Sequence, residues 1–483
     1  MTKDRKKIVC ITLFGLYIVT NLILLYFHEA WRDEAQVWLL ARDIPFFELP
    51  RQMAYEGHPC LWHWVMFPFV RLGLPYFTQN IVAFVIVAVA AYLLIFRSDF
   101  PFWVKGILVF SPFFTYYYPV IARGYCMIPL FLMLLAYWYP RRMQYSVRYA
   151  LVIALLVQTH AMMVVTAFLM CVCYLTESVL AYLAEKDKKA LTKRLGSLFL
   201  PLASALFLLY QLSAVEKSSL LRIKTASVRR TCEKILEKFA EAMGEFCGLD
   251  GKKAILLLAV GVLFLIAVMT IKKVKAKYAV GVILVGTFCF QFWFYAMVYD
   301  YSLQRLMTFG LLMIWGMWIV RTEEGERKYP LGEIAFCAFC LVAIIHNVPA
   351  VKLDMDTPYS NGREAAEFIR ENIPEDAMII TDNQPECTAI FPYLDKRQFI
   401  YAPNMENFTY VVWDDHWMDQ CTYDTFLQNI SGLLSGDVPV YMISCMGRSN
   451  IEESERLESD FDLLFRTEKL SVKGEDYQIY RMK

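Results

Sequence analysis

Long apolar segments with almost no charge are the feature that most constrains the fold of this chain. Three examples are residues 81–96, 254–271 and 278–297. A helix needs about 20 apolar residues to cross the ~30 Å hydrocarbon core of a bilayer. Of all residues, 58% are hydrophobic and 20% are charged, whereas soluble domains have about 45–50% and about 25%. A soluble protein would have to bury many uncharged helices in one core, so the sequence predicts an all-α polytopic membrane protein.

We predict about eleven transmembrane helices from these segments. They cover approximately residues 8–27, 79–96, 104–121, 124–139, 147–160, 161–183, 194–214, 252–271, 277–298, 303–320 and 331–348. The fifth and sixth form one apolar stretch, which we divide at Gln158, Thr159 and His160 because three polar residues occur there in a row. The first span is longer than the core of a signal peptide, and no small-residue cleavage site follows it, so we expect it to be retained.

Basic residues predict the orientation of these spans. Lys and Arg are concentrated in the N-terminal segment and in the loops near 97–105, 141–148, 186–194, 272–277 and 321–328. Such loops favour the cytoplasmic side. An odd number of spans then leaves loop 28–78 and tail 349–483 outside the cytoplasm. The long loop 215–251 is basic too, and its residues 228–246 predict an amphipathic helix on the membrane surface.

The composition becomes that of a soluble domain after Val348. Helices are predicted at 363–372 and 426–434, and strands at 377–381, 398–401, 410–413 and 439–444. Alternating helices and strands indicate a small α/β domain. We therefore divide the chain into a transmembrane domain, 1–348, and a C-terminal α/β domain, 349–483. Within the tail, the cluster from Trp413 to Trp417 is either a metal or sugar site or a solvated turn with aromatic anchors.

Two polar clusters occur in loop 28–78. Asp33 and Glu34 follow the first span, and Glu56 and His58 precede an apolar stretch at 61–72. That stretch is too short to span a bilayer and predicts a juxtamembrane helix. Adjacent residues on a helix point in different directions, so Asp33 and Glu34 cannot serve one site equally. A solvated helix start, with acidic groups at the positive end of the dipole, explains the pair without a function.

Two arginines lie at the outer ends of predicted spans. Arg123 lies at a predicted tight hairpin, and Arg305 follows the polar segment 299–304. An arginine near a membrane segment is costly and suggests a function. The alternative is that each arginine side chain extends, or snorkels, to the membrane interface. A tight hairpin makes this explanation less suitable for Arg123.

These residues resemble, in their order, the motifs of polytopic glycosyltransferases of the GT-C fold. The branch they resemble most contains the protein O-mannosyltransferases and the lipid A aminoarabinose transferase. The matching elements are the acidic pair in Arg32-Asp33-Glu34-Ala35, a His-Pro-Pro-like element in Gly57-His58-Pro59-Cys60, an Ala-Arg-x-Tyr-like element in Ala122-Arg123-Gly124-Tyr125, and Thr159-His160. Cys60 replaces the second proline, and Arg305 lacks the expected Arg-Tyr pairing. The motifs lie in about the first third of the chain, and over the rest of the chain the resemblance is one of architecture alone.

The resemblance implies a hexosyl- or pentosyltransferase in a bacterial plasma membrane, with a cytoplasmic N-terminus. Its donor would be a polyprenyl-phosphate-linked sugar, and its acceptor a lipid, glycan or protein outside the cytoplasm. Transfer would be a single displacement that inverts the anomeric carbon, with Asp33 as general base. We expect substrate contacts from Glu34, Glu56, His58, Arg123, Tyr125, His160 and Arg305, with the arginines at the phosphate. Some GT-C enzymes need a divalent ion, and Asp33, Glu56 and His58 are residue types that could hold one. Members of this branch generally need no metal, so we expect no cofactor.

Two other classes of protein stay open from the residues alone. A transporter or lipid-linked sugar flippase would also be polytopic. Such proteins often have inverted repeats and charges at the bilayer midplane, whereas here we find no repeat, and the polar residues gather at one face. A non-catalytic assembly or sensor protein would use the tail as a binding module. The net charge of +1 indicates no nucleic-acid partner.

Overall fold

The described part of the chain forms two compact units. The computed structural model describes residues 2–213, 227–249, 251–253, 276–324, 331–395, 397–414, 416–417, 419–431 and 438–483. The first unit comprises the described parts of 1–25, 82–212 and 221–349. The second comprises 26–81 and the described parts of 350–483. The predicted span 252–271 lies almost entirely outside the described residues.

Helices make up most of the described chain. In order they are α1 (Lys3–Phe27), α2 (Arg32–Asp43), α3 (Leu49–Glu56), α4 (Leu61–Arg71), α5 (Thr78–Arg97), α6 (Phe102–Val109), α7 (Met127–Trp138), α8 (Ser146–Val157), α9 (Met163–Glu185), α10 (Lys188–Ser197), α11 (Phe199–Gln211), α12 (Val228–Cys247), α13 (Ala276–Met297), α14 (Leu303–Glu324) and α15 (Leu331–Asp356). Seven described helices are long and apolar enough to cross a membrane, if α10 and α11 are taken together. The predicted polytopic, helical membrane fold is confirmed.

One predicted span, 104–121, is wrong as a continuous helix. Helix α6 ends at Val109, and residues 110–123 are irregular. Ser111 precedes Pro112, and a residue before proline disfavours the helical conformation. The side chains of Ser111 and Thr115 instead donate hydrogen bonds to the last carbonyls of α6, at 2.6 and 2.9 Å. Arg123 therefore lies at the end of an irregular segment and not in a tight hairpin between two spans.

The predicted spans 124–139 and 147–160 are also shorter than expected. Helices α7 and α8 have 12 residues each, which at about 1.5 Å per residue falls well short of the ~30 Å core. The break at Gln158–His160 is confirmed, since α8 ends at Val157 and α9 begins at Met163. In this break Gln158 Nε2 donates to the Ser204 carbonyl oxygen of α11 at 2.7 Å. The polar residues that interrupt the apolar stretch thus connect α8 to α11.

Three predicted helices outside the spans agree with the structure. Helix α4 corresponds to the predicted juxtamembrane stretch 61–72, and α12 to the predicted amphipathic helix 228–246. In the tail, α16 (Gly362–Asn372) corresponds to the prediction at 363–372. The remaining tail helices are α17 (Gln384–Cys387), α18 (Tyr423–Ser431) and α19 (Leu457–Asp460).

A six-stranded sheet forms the centre of the tail. The strands are β1 (Met378–Thr381), β2 (Phe399–Tyr401), β3 (Glu406–Phe408), β4 (Cys421–Thr422), β5 (Val440–Cys445), β6 (Ile451–Glu452), β7 (Phe461–Arg466) and β8 (Tyr477–Met482). The sheet order is β3-β2-β1-β5-β8-β7, and β4 and β6 pair separately. Strands β2, β1 and β5 are parallel to one another, and the outer strands are antiparallel to their neighbours. The predicted α/β class of the tail is confirmed.

The predicted strand at 410–413 is wrong. Residues 409–414 form no strand, because the backbone of Val411 bonds to a side chain and not to a neighbouring strand. Gln36 Oε1 accepts the Val411 N–H at 3.1 Å, and Gln36 Nε2 donates to the Val411 carbonyl at 2.7 Å. The amide of Gln36, on α2, thus takes both hydrogen bonds that a strand partner would have made.

One face of the sheet is covered by α18. Ile380 of β1, Met442 of β5 and Tyr480 of β8 lie on that face and pack with Phe426 and Ile430 of α18. All five are at least 96% buried. The parallel pairing of β1 and β5 places their carboxyl ends side by side, so the segments that follow them, from Asp382 and from Met446, also meet.

Candidate active site

The start of α2 carries the predicted acidic pair. Glu34 Oε2 accepts the N–H of Trp31 at 3.3 Å. Glu475 accepts the N–H of Arg32 with both carboxylate oxygens, at 3.1 and 3.3 Å. Free amide groups at a helix start carry partial positive charge, and carboxylates satisfy them. The backbone next to Asp33 is therefore held by carboxylates of the second unit.

Asp33 and Glu34 occupy different environments, as their adjacent positions on a helix predict. The Glu34 side chain is completely buried, whereas the Asp33 side chain is 24% exposed. The Arg32 guanidinium lies 3.6 Å from an Asp33 carboxylate oxygen. The Asp33 carboxylate is therefore accessible to a group of a substrate, whereas Glu34 makes its contacts inside the protein.

A buried histidine joins two carboxylates beside this pair. His28 Nε2 lies 3.1 Å from Glu34 Oε2, and His28 Nδ1 lies 2.9 Å from Asp354 Oδ2. Burial lowers the pKa of His28, but the charges and hydrogen bonds of Glu34 and Asp354 outweigh it and raise the pKa to about 10. Asn80 Nδ2 also donates to Glu34 Oε1 at 2.9 Å. His28 thus joins two buried carboxyl groups, and this network orders the polypeptide around Asp33.

Glu56 is a buried carboxyl with a raised pKa. Burial raises the pKa of Glu56 to about 8, although hydrogen bonds from Gln36 and Trp413 lower it. Gln36 Nε2 donates to Glu56 Oε1 at 2.8 Å. At neutral pH Glu56 is therefore mainly protonated and is able to donate a hydrogen bond as well as accept one.

Two histidines stack next to Glu56. His58 Nε2 lies 3.8 Å from Glu56 Oε2, and the His58 side chain is 24% exposed. Its ring stacks on that of His63 with centroids 5.4 Å apart. His63 is fully buried, which lowers its pKa well below the usual value, so this ring is neutral. Glu56 and His58 are thus in contact and form a partly accessible pair of titratable groups.

In the first unit, the structure brings together the other four predicted residues. Arg305 Nε donates to Tyr125 Oη at 2.9 Å, and His160 Nε2 lies 3.3 Å from the same oxygen. The Tyr125 and His160 rings stack with centroids 5.0 Å apart. The Arg123 guanidinium lies 5.9 Å from the centroid of the Tyr125 ring. We call these four residues the arginine–tyrosine cluster.

The histidine of this cluster is oriented by the backbone. The N–H of Met162 donates to His160 Nδ1 at 3.1 Å. In the neutral ring the other nitrogen, Nε2, then carries the proton and points to Tyr125. The Arg305 guanidinium has two further contacts. Its Nη1 donates to the Asp300 carbonyl at 2.8 Å, and it lies 4.4 Å from the Tyr299 ring centroid. The cluster therefore contains two guanidinium groups ordered around one phenol.

Comparison with known proteins identifies the fold. The chain matches no protein-family model and no curated protein sequence. Among solved structures it is similar to ArnT from Cupriavidus metallidurans bound to undecaprenyl phosphate, with a TM-score of 0.55 and 10% identity over 98% of this chain and 97% of that one. The chain has the ArnT fold. The apo state of the same ArnT gives a TM-score of 0.45 and 11% identity over 97% of both chains.

ArnT has the GT-C fold, so the predicted GT-C resemblance is confirmed for the fold. The roles of individual residues on this ArnT fold stay predictions. Among the described residues, no group of three or more His, Cys, Asp or Glu side chains is arranged to hold a metal ion. The expectation that no cofactor is required also stays a prediction.

The tryptophan-rich cluster of the tail divides into two parts on this ArnT-like fold. The side chain of Trp413 hydrogen-bonds to Glu56. His416 is exposed and lies 3.1 Å from an Asp419 carboxylate oxygen. Asp415 lies outside the described residues. Trp413 is therefore an aromatic anchor that holds the Glu56 carboxyl through a hydrogen bond, and His416 belongs to an exposed turn.

Sequence analysis missed several residues that order the acidic pair. Besides His28 and Asn80, they are Asp354, Glu386, Arg448 and Glu475. Glu386 Oε1 accepts hydrogen bonds from Arg32 Nη1, at 2.6 Å, and from Arg448 Nη1. Asp354 had one available signal, an acidic residue in the last apolar helix. Glu386, Arg448 and Glu475 lie in the tail, where a charged residue is ordinary and gives no signal.

Proposed function

We propose that this chain is a membrane glycosyltransferase that moves a sugar from a polyprenyl-phosphate donor to an acceptor outside the cytoplasm. The observation that carries the proposal is the arginine–tyrosine cluster. Its four members were predicted as substrate contacts, they are spread from position 123 to position 305, and yet they lie together. The undecaprenyl phosphate bound by ArnT supports a lipid phosphate as the leaving group.

The cluster suits a phosphate ester on chemical grounds. Guanidinium groups remain charged and offer planar sets of donors that match phosphate oxygens. Such donors stabilise the negative charge that grows on the phosphate as the sugar–phosphate bond breaks. Tyr125 orders Arg305 through its hydroxyl oxygen, so the positive charge is already in place before that bond breaks. In this proposal Arg123 and Arg305 bind the donor phosphate, and Tyr125 and His160 position them.

Asp33 is the proposed general base. Its carboxylate is partly exposed and lies on a helix start that buried groups hold in position. It would take a proton from an acceptor hydroxyl or amine while that oxygen or nitrogen attacks the anomeric carbon. The carbon–oxygen bond to phosphate breaks in the same step, polyprenyl phosphate leaves, and the anomeric configuration inverts. Glu56 and His58 are proposed to orient the acceptor or the sugar.

A transfer assay tests this function against the flippase alternative. Purified chain in liposomes receives radiolabelled undecaprenyl-phosphate sugars, with membranes of the source organism as acceptors. We expect label to move from donor to acceptor and undecaprenyl phosphate to be released. Label that crosses the bilayer on an unchanged donor would instead establish a flippase.

The Asp33→Asn variant tests the assignment of the base. General-base catalysis contributes about 10²–10⁴-fold, so turnover should fall by that factor while donor affinity is retained. The matched control is Asp462→Asn, which changes a carboxylate that is 69% exposed on β7. A variant that keeps most of its turnover would show that another residue takes the proton.

A further inference from the structure

A cavity of about 510 Å³ lies in the second unit at the carboxyl end of β5. Its lining comes from the segment after β5, from residues 454–458 and from β8. Ligand pockets in proteins have volumes of about 300–1,000 Å³, so this one has room for a small organic molecule. None of the residues assigned above to the donor or to the base lines it.

The cavity lies next to the point at which the strand order of the sheet changes direction. Strand β1 has β2 on one side and β5 on the other, and all three run parallel. The order of the strands along the sheet therefore changes direction at β1 and β5. In open α/β sheets, ligands bind beyond the carboxyl ends of the strands at such a switch point. The cavity lies at the carboxyl end of β5 on the side of β8, since Gln478 and Tyr480 of β8 line it and no residue of β1 does.

The hydroxyl of Ser444 is fixed as a hydrogen-bond acceptor toward the cavity. Ser444 Oγ lies 2.6 Å from Asp382 Oδ2, and the other Asp382 oxygen accepts the N–H of Cys445 at 3.0 Å. Asp382 is completely buried. Because the Ser444 proton is donated to the Asp382 carboxylate, the oxygen of this serine offers only lone pairs to a ligand.

Two carboxylates add further acceptors to the lining. The side chains of Glu455 and Glu458 are exposed and line the cavity. Within the described residues neither forms an ion pair, and no Lys, Arg or His side chain lines the cavity. Ionised carboxylates accept hydrogen bonds and do not donate them. The cavity therefore attracts groups that donate hydrogen bonds and repels anions.

We propose that this cavity binds a sugar whose free hydroxyl and amino groups donate hydrogen bonds and which carries no phosphate or carboxylate. Sugar hydroxyls supply donors to Ser444 and to the two glutamates. A sugar ammonium group adds a charge-assisted hydrogen bond. The Gln478 amide, which also lines the cavity, has both donors and acceptors and suits a sugar hydroxyl in either role. The proposal concerns binding alone and does not depend on the proposed transfer reaction.

Three sugars of similar size test the proposal on the full chain. Glucosamine, glucose and glucose 6-phosphate differ mainly in charge. Binding is followed by saturation-transfer NMR titration in a detergent without a sugar headgroup. We expect the affinity to fall in the order glucosamine, glucose, glucose 6-phosphate. Absence of saturable glucosamine binding, or tighter binding of the phosphorylated sugar, would overturn the proposal.

A double variant locates the binding. Glu455→Gln/Glu458→Gln removes both charges and leaves the size of the cavity unchanged. Loss of one charge-assisted hydrogen bond should weaken glucosamine binding about tenfold or more. The control is Glu468→Gln, an exposed glutamate outside the cavity. Unchanged glucosamine affinity in the double variant would assign the binding elsewhere and refute the proposal. Since no polyprenyl-phosphate-linked sugar is present in this experiment, the result is independent of whether the chain transfers sugar.

Discussion

Arg123 and Arg305 differ in how the surrounding residues hold them. Arg305 uses its Nε and Nη1 groups inside the protein, on Tyr125 and on the Asp300 carbonyl. Arg123 has its guanidinium near the Tyr125 ring. In the proposed site, Arg305 is a charge held in place by these two contacts, and Arg123 is the second guanidinium of the phosphate site.

A lysine at position 123 separates phosphate binding from snorkelling. Arg123→Lys keeps the charge but loses the planar set of donors, so we expect impaired donor binding, and Arg123→Ala should be worse. Loss of a charge-assisted hydrogen bond of about 1.5–3 kcal/mol weakens binding roughly ten- to a hundredfold. Donor titration measures this, with Arg229→Lys on the exposed start of α12 as control. Equal donor affinity in wild type and both variants would remove Arg123 from the site.

The raised pKa of Glu56 predicts that the free energy of unfolding depends on pH. Its pKa is 4.5 in the unfolded chain and about 8 in the folded protein. Below pH 4.5 both states hold the proton. As the pH rises from 4.5 to 8, the unfolded state loses its proton first, so the folded state loses stability over this range.

Replacement of Glu56 by glutamine isolates this contribution. Glu56→Gln keeps an acceptor for Gln36 and has no proton to lose. The Tm of wild type relative to this variant should therefore fall between pH 4.5 and pH 8, as measured by thermal unfolding. Glu468→Gln is the control for general effects of charge. Parallel curves for wild type and Glu56→Gln would contradict the raised pKa.

At the scale of elements, helix α2 is held by the tail. Glu475 accepts the first amide of α2, and Glu386 accepts a hydrogen bond from the Arg32 side chain. Arg448 meets the same Glu386 oxygen. These contacts lie within the second unit, and they make residues distant in sequence responsible for the position of Asp33.

Glu386 is therefore expected to be a positioning residue for the proposed base. Glu386→Gln removes the charge that Arg32 and Arg448 share, so α2 should shift slightly. Small misplacements of a catalytic group cost up to about a hundredfold in rate. We expect kcat to fall while the KM for the donor is retained, with Glu453→Gln as an exposed control. A lower Tm with unchanged kcat would reduce Glu386 to a purely structural role.

For the molecule as a whole, the orientation in the membrane determines on which side transfer would take place. The basic loops predict a cytoplasmic N-terminus and an external tail. Cys445 is only 2% exposed, so it is a poor target for labelling. The variants Ser459→Cys and Thr2→Cys place thiols at exposed positions of the tail and the N-terminus.

A membrane-impermeant maleimide on intact cells tests this orientation. Ser459→Cys should be labelled beyond the wild-type background without permeabilisation. Thr2→Cys should be labelled only after permeabilisation. The reverse pattern would invert the topology and would move the proposed transfer to the cytoplasmic side.

Sequence patterns alone predict the polytopic class, the α/β tail and most of the long spans. Apolar length and alternating patterns are local properties, and they persist whatever the chain contacts later. Local reasoning failed at 104–121, where hydropathy suggested a helix but Pro112 and two hydroxyl side chains ended it. It also failed at 410–413, because a strand needs a partner, and the Gln36 amide had taken that place.

Which polar residues contact one another depends on the tertiary fold. His28 joins Glu34 to Asp354, which lies 326 residues away from it, and Arg305 reaches Tyr125 across 180 residues. Motif resemblance named some of these residues but gave no contacts among them. Glu386, Arg448 and Glu475 carried no signal, because a charged residue in a soluble tail is usually solvated. Burial changes the role of these residues, because a carboxylate removed from water needs a hydrogen-bond donor. The donors here come from the start of α2.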